Sequence, residues 1–198
     1  MNTFRPGPGD ALIIVDLQHD FLPGGSLAVS DGDAVVPVLN EAIAAFTAAK
    51  LPVVATRDWH PADHCSFHAQ GGIWPVHCIA GSHGAAFSPA LHLPVSAQII
   101  SKATTAERDA YSGFEGTDLG ARLAVQGITR VFVGGLATDY CVLQTVLDAL
   151  KLNLQVVLLL DAIRAVDVKP GDGERAIARM IAEGAMAGAL DATGVLAA

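Results

Sequence analysis

Cysteine is scarce in this chain of 198 residues: Cys65, Cys78 and Cys141 are too few and too scattered for a disulfide framework, and their odd number leaves one unpaired. A reducing cytosol is the expected compartment. Charge is scarce too, at 16% of residues, and it leans acidic, with 12 Lys and Arg against 20 Asp and Glu for a net charge of -8. No basic cluster occurs, so nucleic acid and anionic membrane surfaces have no electrostatic footing, and a small molecule is the expected partner. Apolar runs such as Val156 to Leu160 are far too short to span a bilayer. The first ten residues contain Pro6, Gly7, Pro8 and Gly9 but no apolar stretch, so no signal peptide is expected. What is plentiful is hydrophobic side chain, 52% of the chain, enough to bury a large core in a single domain over residues 1–198.

The apolar residues come in two periodicities. Ala11 to Val15, Val53 to Thr56, Gln98 to Ser101, Val131 to Val133 and Val156 to Leu160 are short runs rich in Val and Ile, the pattern of buried parallel strands. Between them apolar residues recur at spacings of three and four: Val35, Val38, Leu39, Ala42, Phe46 and Ala49, then Leu143, Val146, Leu147 and Leu150. Further helices are predicted over Asp118 to Gln126, with Thr117 as cap and Gly127 as stop, and over Gly173 to Ala182. The Ala- and Gly-rich tail gives a weak signal for a final strand. Alternation of this kind predicts a three-layer α/β/α domain with a mostly parallel, Rossmann-like sheet, whose ligands bind beyond the carboxyl ends of the strands. Asp16, Asp58, Lys102 and Cys141 all follow predicted strands and so share that edge.

One stretch breaks the rhythm. Residues 58–94 have little periodicity yet hold six of the seven histidines, which marks a functional excursion. Asp58, His60, His64 and His77 offer a carboxylate and three imidazoles, donors suited to zinc, iron or manganese, with Cys78 a rival ligand and His68, His83 and His92 read as exposed loop histidines. Cys141 lies three residues beyond Thr138, a candidate cap, and the positive end of a helix favours a thiolate there; the alternative is a small buried hydrophobe. Asp16 would take the thiol proton and Lys102 would hold Asp16 in place. Gly134-Gly135 lacks the pattern of a phosphate loop and instead suits close backbone approach, with two amides near Cys141 as an oxyanion hole.

Taken in order, Ile14-Val15-Asp16-Leu17-Gln18-His19-Asp20-Phe21, Arg57-Asp58-Trp59-His60-Pro61, Trp74-Pro75-Val76-His77-Cys78, Lys102, Tyr111-Ser112-Gly113-Phe114 and Gly135-Leu136-Ala137-Thr138-Asp139-Tyr140-Cys141 resemble the nicotinamidases, or pyrazinamidases, of the isochorismatase-like cysteine hydrolases. The resemblance covers nearly the whole chain and implies an isochorismatase-like fold. It implies a catalytic triad of Asp16, Lys102 and Cys141, and one divalent metal, zinc or else iron or manganese, on Asp58, His60 and His77. The fourth metal position is left open between His64 and water. Phe21, Trp74 and Tyr111 would line a pyridine pocket, a cis bond would join Leu136 to Ala137, and the amides of Ala137 and Cys141 would face the oxyanion. The implied reaction converts nicotinamide, and pyrazinamide with it, to the acid and ammonia through a thioester at Cys141. A homo-oligomer is left open. Cys65 and Asn153 depart from the common pattern, the latter where a glycine often stands.

Overall fold

The computed structural model describes residues 2–191. Seven strands, β1 (Thr3–Phe4), β2 (Asp10–Val15), β3 (Val53–Asp58), β4 (Gln98–Lys102), β5 (Arg130–Leu136), β6 (Gln155–Arg164) and β7 (Met186–Leu190), form one sheet in the order β1-β7-β6-β5-β2-β3-β4. Every pairing is parallel. The helices are α1 (Val35–Ala48), α2 (Leu119–Val125), α3 (Leu143–Lys151) and α4 (Asp172–Ala182). No helix among the described residues is long and apolar enough to cross a membrane.

Alternation along the central strands divides the core. Leu12, Ile14, Phe132, Val157 and Leu159 pack with Leu39, Ile43 and Phe46 of α1 on one face. Ala11, Ile13, Val15, Val131, Val133, Val156 and Leu158 pack with α2, α3 and α4 on the other. Central strands buried on both faces read as continuous apolar runs, which is why their positions are plain in the sequence. Each fully buried Leu or Ile contributes roughly 1.5 to 3 kcal/mol relative to exposure, so these strands form a stiff base for whatever leaves their ends.

From β2 the chain winds outward through β3 and β4, then returns to lay β5 on the other side of β2 and continues through β6 and β7. The direction of winding therefore reverses between β2 and β5, where a crevice opens at the strands' carboxyl ends. Register does the fine placement. Val15 pairs with Gly135, and Asp58 pairs with Lys102. Gly135, at φ +124°, must be glycine because a Cβ there would strike the backbone of Val15.

Several boundaries differ from expectation for identifiable reasons. β3 and β4 run on to include Asp58 and Lys102 themselves, because the two residues pair across the ladder. β6 continues past Asp161 to Arg164: a bulge lets Val133 pair with Leu158 while Gly135 pairs with Ile163, absorbing the extra residues on β6. The edge strand β1, only two residues beside β7, carries too little pattern to read. β7 lies within the Ala- and Gly-rich tail, whose residues beyond 191 fall outside those described. Asn153 adopts φ +60°, the left-handed conformation that also suits a glycine. Gly127 follows the end of α2 at φ +67°; the N-cap is Asp118, one residue after the expected Thr117, whose Oγ1 accepts from Leu119 N at 3.3 Å.

Candidate active site

Four side chains meet at the crevice. Lys102 Nζ lies 3.0 Å from Asp16 Oδ2, donates to Asp58 Oδ1 at 2.5 Å and to the Ala110 carbonyl at 3.3 Å, and is 3.4 Å from Cys141 Sγ. All four residues are buried. Asp16 leaves β2 at φ +51°, an uncommon conformation for a residue with a side chain, and Thr56 donates to its Oδ1 at 2.7 Å. Its Oδ2 takes the Lys102 ion pair and has no further partner among the described residues, so it can accept another proton.

Cys141 sits in a turn of π-helix, Thr138–Val142, that leads into α3. The entry differs from the expected Thr138 cap. Ala137 occupies the cap position, its carbonyl accepting from Tyr140 N and Val142 N at 3.1 Å each, and Thr138 makes no capping bond. A wide π turn at a functional site is a familiar way to aim one side chain differently from its neighbours. The bond Leu136-Ala137 is cis.

Electrostatics assign the protons. Burial pushes the Cys141 thiol well above its ordinary range, and although Lys102 pulls it down, Asp16 and Asp58 push it up again. These influences favour the thiol, whose proton Asp16 is expected to take, over the thiolate that helix placement alone favours. Burial also raises Asp16, partly countered by Lys102 and reinforced by Asp58. Asp58 goes the other way: burial would raise it, but Lys102 and His60 together hold it well below the carboxylate range. Lys102, despite burial, is kept protonated by the two carboxylates.

Beside this group stands a second one. Single donor atoms of Asp58, His60 and His77 lie within 4.8 Å of one another, all buried. His60 Nε2 is 3.6 Å and His77 Nε2 is 4.0 Å from Asp58 Oδ2. His77 Nδ1 hydrogen-bonds the Pro75 carbonyl at 2.8 Å, which makes Nδ1 the donor and turns the Nε2 lone pair inward. Burial lowers the His77 pKa and so favours the neutral imidazole. Among the described residues, neither nitrogen of buried His60 has a hydrogen-bond partner. Unpaired buried nitrogens are costly unless something else takes their lone pairs, so a carboxylate and two imidazoles fit a divalent metal of the zinc type.

His64 does not join this group. Its ring lies 4.2 Å from that of His60, but Nδ1 is bonded to Ser66 Oγ at 2.8 Å and Nε2 to the Arg108 carbonyl at 3.0 Å. Cys78 stands aside as well: burial pushes its thiol far up, and its nearest polar contact is the Gly84 carbonyl, 4.0 Å away. His68, His83 and His92 are exposed.

A cleft opens over both groups, with Cys141, Asp58, His60 and His77 among its lining residues. Phe21, Trp74 and Tyr111 line it as well. Trp74 Nε1 donates to Tyr111 Oη at 2.9 Å, and burial pushes the Tyr111 phenol up to about 12, so it stays neutral. Tyr140 and Val166 also line the cleft, and neither is singled out by the sequence. Tyr140 sits edge-on to Trp74, with ring centroids 4.9 Å apart. Its place directly before Cys141 was the one signal that could have found it; Val166 follows β6 without a distinguishing pattern.

Seven parallel strands with a cysteine, a carboxylate and a lysine gathered at the switch point define a class, the hydrolases with an isochorismatase-like α/β fold. The chain belongs to the isochorismatase family, whose domain matches residues 10–191. Within that family it is similar to the nicotinamidase of Escherichia coli, at 40% identity across 90% of this chain and 93% of that one. Among solved structures, the pyrazinamidase of Pyrococcus horikoshii in complex with zinc superposes with a TM-score of 0.88 at 49% identity, covering 92% of this chain and 99% of that one. The L. infantum protein in complex with nicotinate superposes at 0.83 with 38% identity, covering 92% and 95%.

Proposed function

We propose that the protein is a nicotinamidase that also accepts pyrazinamide, and that Cys141, Asp16 and Lys102 carry its chemistry. The observation behind this reading is that a thiol, a free carboxylate lone pair and an ammonium converge beneath an aromatic cleft that also presents Asp58, His60 and His77. Kinship with nicotinamidases and pyrazinamidases supports the substrate class.

The steps follow from which groups start protonated. Asp16 takes the Cys141 proton as Sγ bonds to the carboxamide carbon, so the nucleophile forms only as it attacks. Lys102 stays charged throughout and balances the negative charge on Asp16. The carbonyl oxygen gains charge in the tetrahedral intermediate and is met by the amides of Ala137 and Cys141. Asp16 returns the proton to the nitrogen as the carbon–nitrogen bond breaks, releasing ammonia and leaving a thioester. Water then gives Asp16 a proton and adds to the thioester carbon; collapse frees nicotinate, and the proton returns to Sγ.

Asp58, His60 and His77 would hold one divalent ion, zinc by donor type, which when bound supplies a Lewis-acidic anchor for the ring nitrogen. Phe21, Trp74 and Tyr111 flank the ring and exclude water. Released ammonia from nicotinamide, measured with purified protein, tests the reading. Turnover is expected, and no turnover by zinc-loaded protein on nicotinamide or pyrazinamide sinks it.

A further inference from the structure

The short turn after β2, Gln18 to Phe21, supplies polar side chains that the chemistry above does not use. Gln18 is fully buried. Its Nε2 donates to the carbonyl of Asp58 at 2.7 Å and to that of Ala85 at 3.0 Å, while its Oε1 accepts from Asp58 N at 2.8 Å. One amide side chain thus gives the Asp58 backbone the two-way pairing that another strand would give. Two residues on, Asp20 Oδ2 accepts from the backbone amide of Cys78, next to His77, at 2.7 Å, and Oδ1 accepts from Ser26 N at 3.4 Å.

The same turn is bonded to the return of the excursion, His19 N to the Ala86 carbonyl and Asp20 N to the Gly84 carbonyl, each at 3.0 Å. A Cβ at Gly84 would run into the Asp20 carboxylate, so the loop closes directly against it. His60 is hung on that loop, its N donating to the Cys78 carbonyl at 3.0 Å and its carbonyl accepting from Ala80 N at 2.8 Å. Asp58 and His60 stand together at the end of β3 and His77 lies far along the excursion, yet all three trace back to this one turn.

We propose that Gln18 and Asp20 are positioning residues that hold Asp58, His60 and His77 at metal-binding spacing in the metal-free protein. The proposal rests on reading those three as ligands. Its physical basis is that converging lone pairs in a dry site repel and are desolvated, so they stay apart from better partners only where the backbone beneath them is fixed. Supporting residues of metal sites commonly govern affinity by about 10- to 100-fold. Here the support acts on the backbone of Asp58 and of Cys78 instead of on the ligand side chains.

Zinc affinity of the full chain, read by competition with a chromogenic chelator beside thermal unfolding of the metal-free protein, tests this. Asp20→Ala is expected to weaken zinc about tenfold or more, whereas Asp20→Asn, which keeps a carbonyl oxygen for the Cys78 amide, stays within about threefold. Gln18→Ala is expected to match Asp20→Ala; if that core variant fails to fold, the Asp20 pair decides. A merely structural role would lower the melting temperature and leave the affinity of the folded protein alone. Asp20→Ala binding zinc like wild type while His60→Ala loses it overturns the proposal, as does Asp20→Asn being as weak as Asp20→Ala. If wild type holds no zinc, or His60→Ala holds it equally well, the ligand assignment itself fails and the positioning role goes with it.

Discussion

Asp16 and Lys102 leave the ends of β2 and β4, the parallel strands on either side of β3, with Cys141 close behind β5, whereas His60, His77, Trp74 and Tyr111 ride on the loops beyond them. The first set inherits its spacing from sheet register, since pairings such as Val15 with Gly135 and Asp58 with Lys102 put strand ends at fixed neighbouring positions. The second set has no ladder beneath it and is held by individual bonds, among them Gln18 to Asp58 and Trp74 to Tyr111. On the proposed mechanism, bond making falls to side chains held by the sheet and substrate holding to a part assembled piece by piece. Asp58 belongs to both, ending β3 and facing His60 while Lys102 binds its other oxygen.

If the strand-end set makes the bonds, the largest effect belongs to Cys141→Ala. Ammonia release should fall about 10,000-fold or more, while circular dichroism stays that of the wild type, because one small side chain is removed from a rigid frame. Near-normal turnover in this variant would move the chemistry away from sulfur. Next come Asp16→Asn and Lys102→Ala, each expected to lose about 1,000-fold in kcat, and they part company in stability. Lys102→Ala strands two buried carboxylates and should cost about 3 to 5 kcal/mol in denaturant unfolding, whereas Asp16→Asn leaves Lys102 paired with Asp58 and should cost clearly less. Equal stability losses would show that Asp58 does not share the lysine.

Loop-set changes should act on holding. His60→Ala is expected to lower kcat/KM for nicotinamide about 100-fold, and most of the discrimination against benzamide, which lacks the ring nitrogen, should vanish with it. A wild-type enzyme that hydrolyses benzamide as fast as nicotinamide breaks this assignment. Protonation draws the same line through the two carboxylates. Asp16 is raised above the ordinary carboxylate range and must be ionised to act as base, so kcat/KM should climb with pH through a limb above that range, changing about tenfold per unit below it. Asp58, held well below the range, remains ionised across that limb. A limb at or below the normal aspartate value in the pH profile counts against Asp16 as the base.

The same division explains what could be read from the sequence. Asp16 and Asp58 were visible because central strands buried on both faces announce their ends as apolar runs stopping at a polar residue, whereas Lys102 ends the half-exposed edge strand β4 and Cys141 lies in the turn beyond β5. The candidate ligands in the excursion were visible by residue type alone, and type does not say which ring nitrogen is free: the spacing of His60 and His64 suggests a pair, yet Ser66 and Arg108 occupy both nitrogens of His64. The protonation of Cys141 is hard to read from sequence for a related reason. Helix placement is a local signal, whereas Asp16 and Asp58 reach the thiol from other strands and outweigh it with burial. Tyr140, Val166 and the clamping role of Gln18 depend on contacts between distant segments that carry no periodicity.

The smallest expected effect tests the bond that joins two loops over the cleft. Trp74 Nε1 donates to Tyr111 Oη, tying the excursion to the loop after β4. Trp74→Phe keeps an aromatic face against Tyr140 but removes the donor. Burial keeps Tyr111 neutral, and its hydroxyl would lose one partner near the cleft, where water can replace it in part. A single neutral hydrogen bond is worth about 1 kcal/mol net, which converts to roughly fivefold. Because the bond aligns pocket walls and touches none of the reacting atoms, that fivefold should appear in KM, with kcat nearly unchanged and the rate of Cys141 alkylation in the absence of substrate the same as in wild type. Steady-state kinetics of Trp74→Phe and Tyr111→Phe, singly and together, measure it. The double variant should be less damaging than the product of the two singles, since both remove the same bond. A fall in kcat matching that of Lys102→Ala would erase the distinction between a strand set that makes bonds and a loop set that holds the ring.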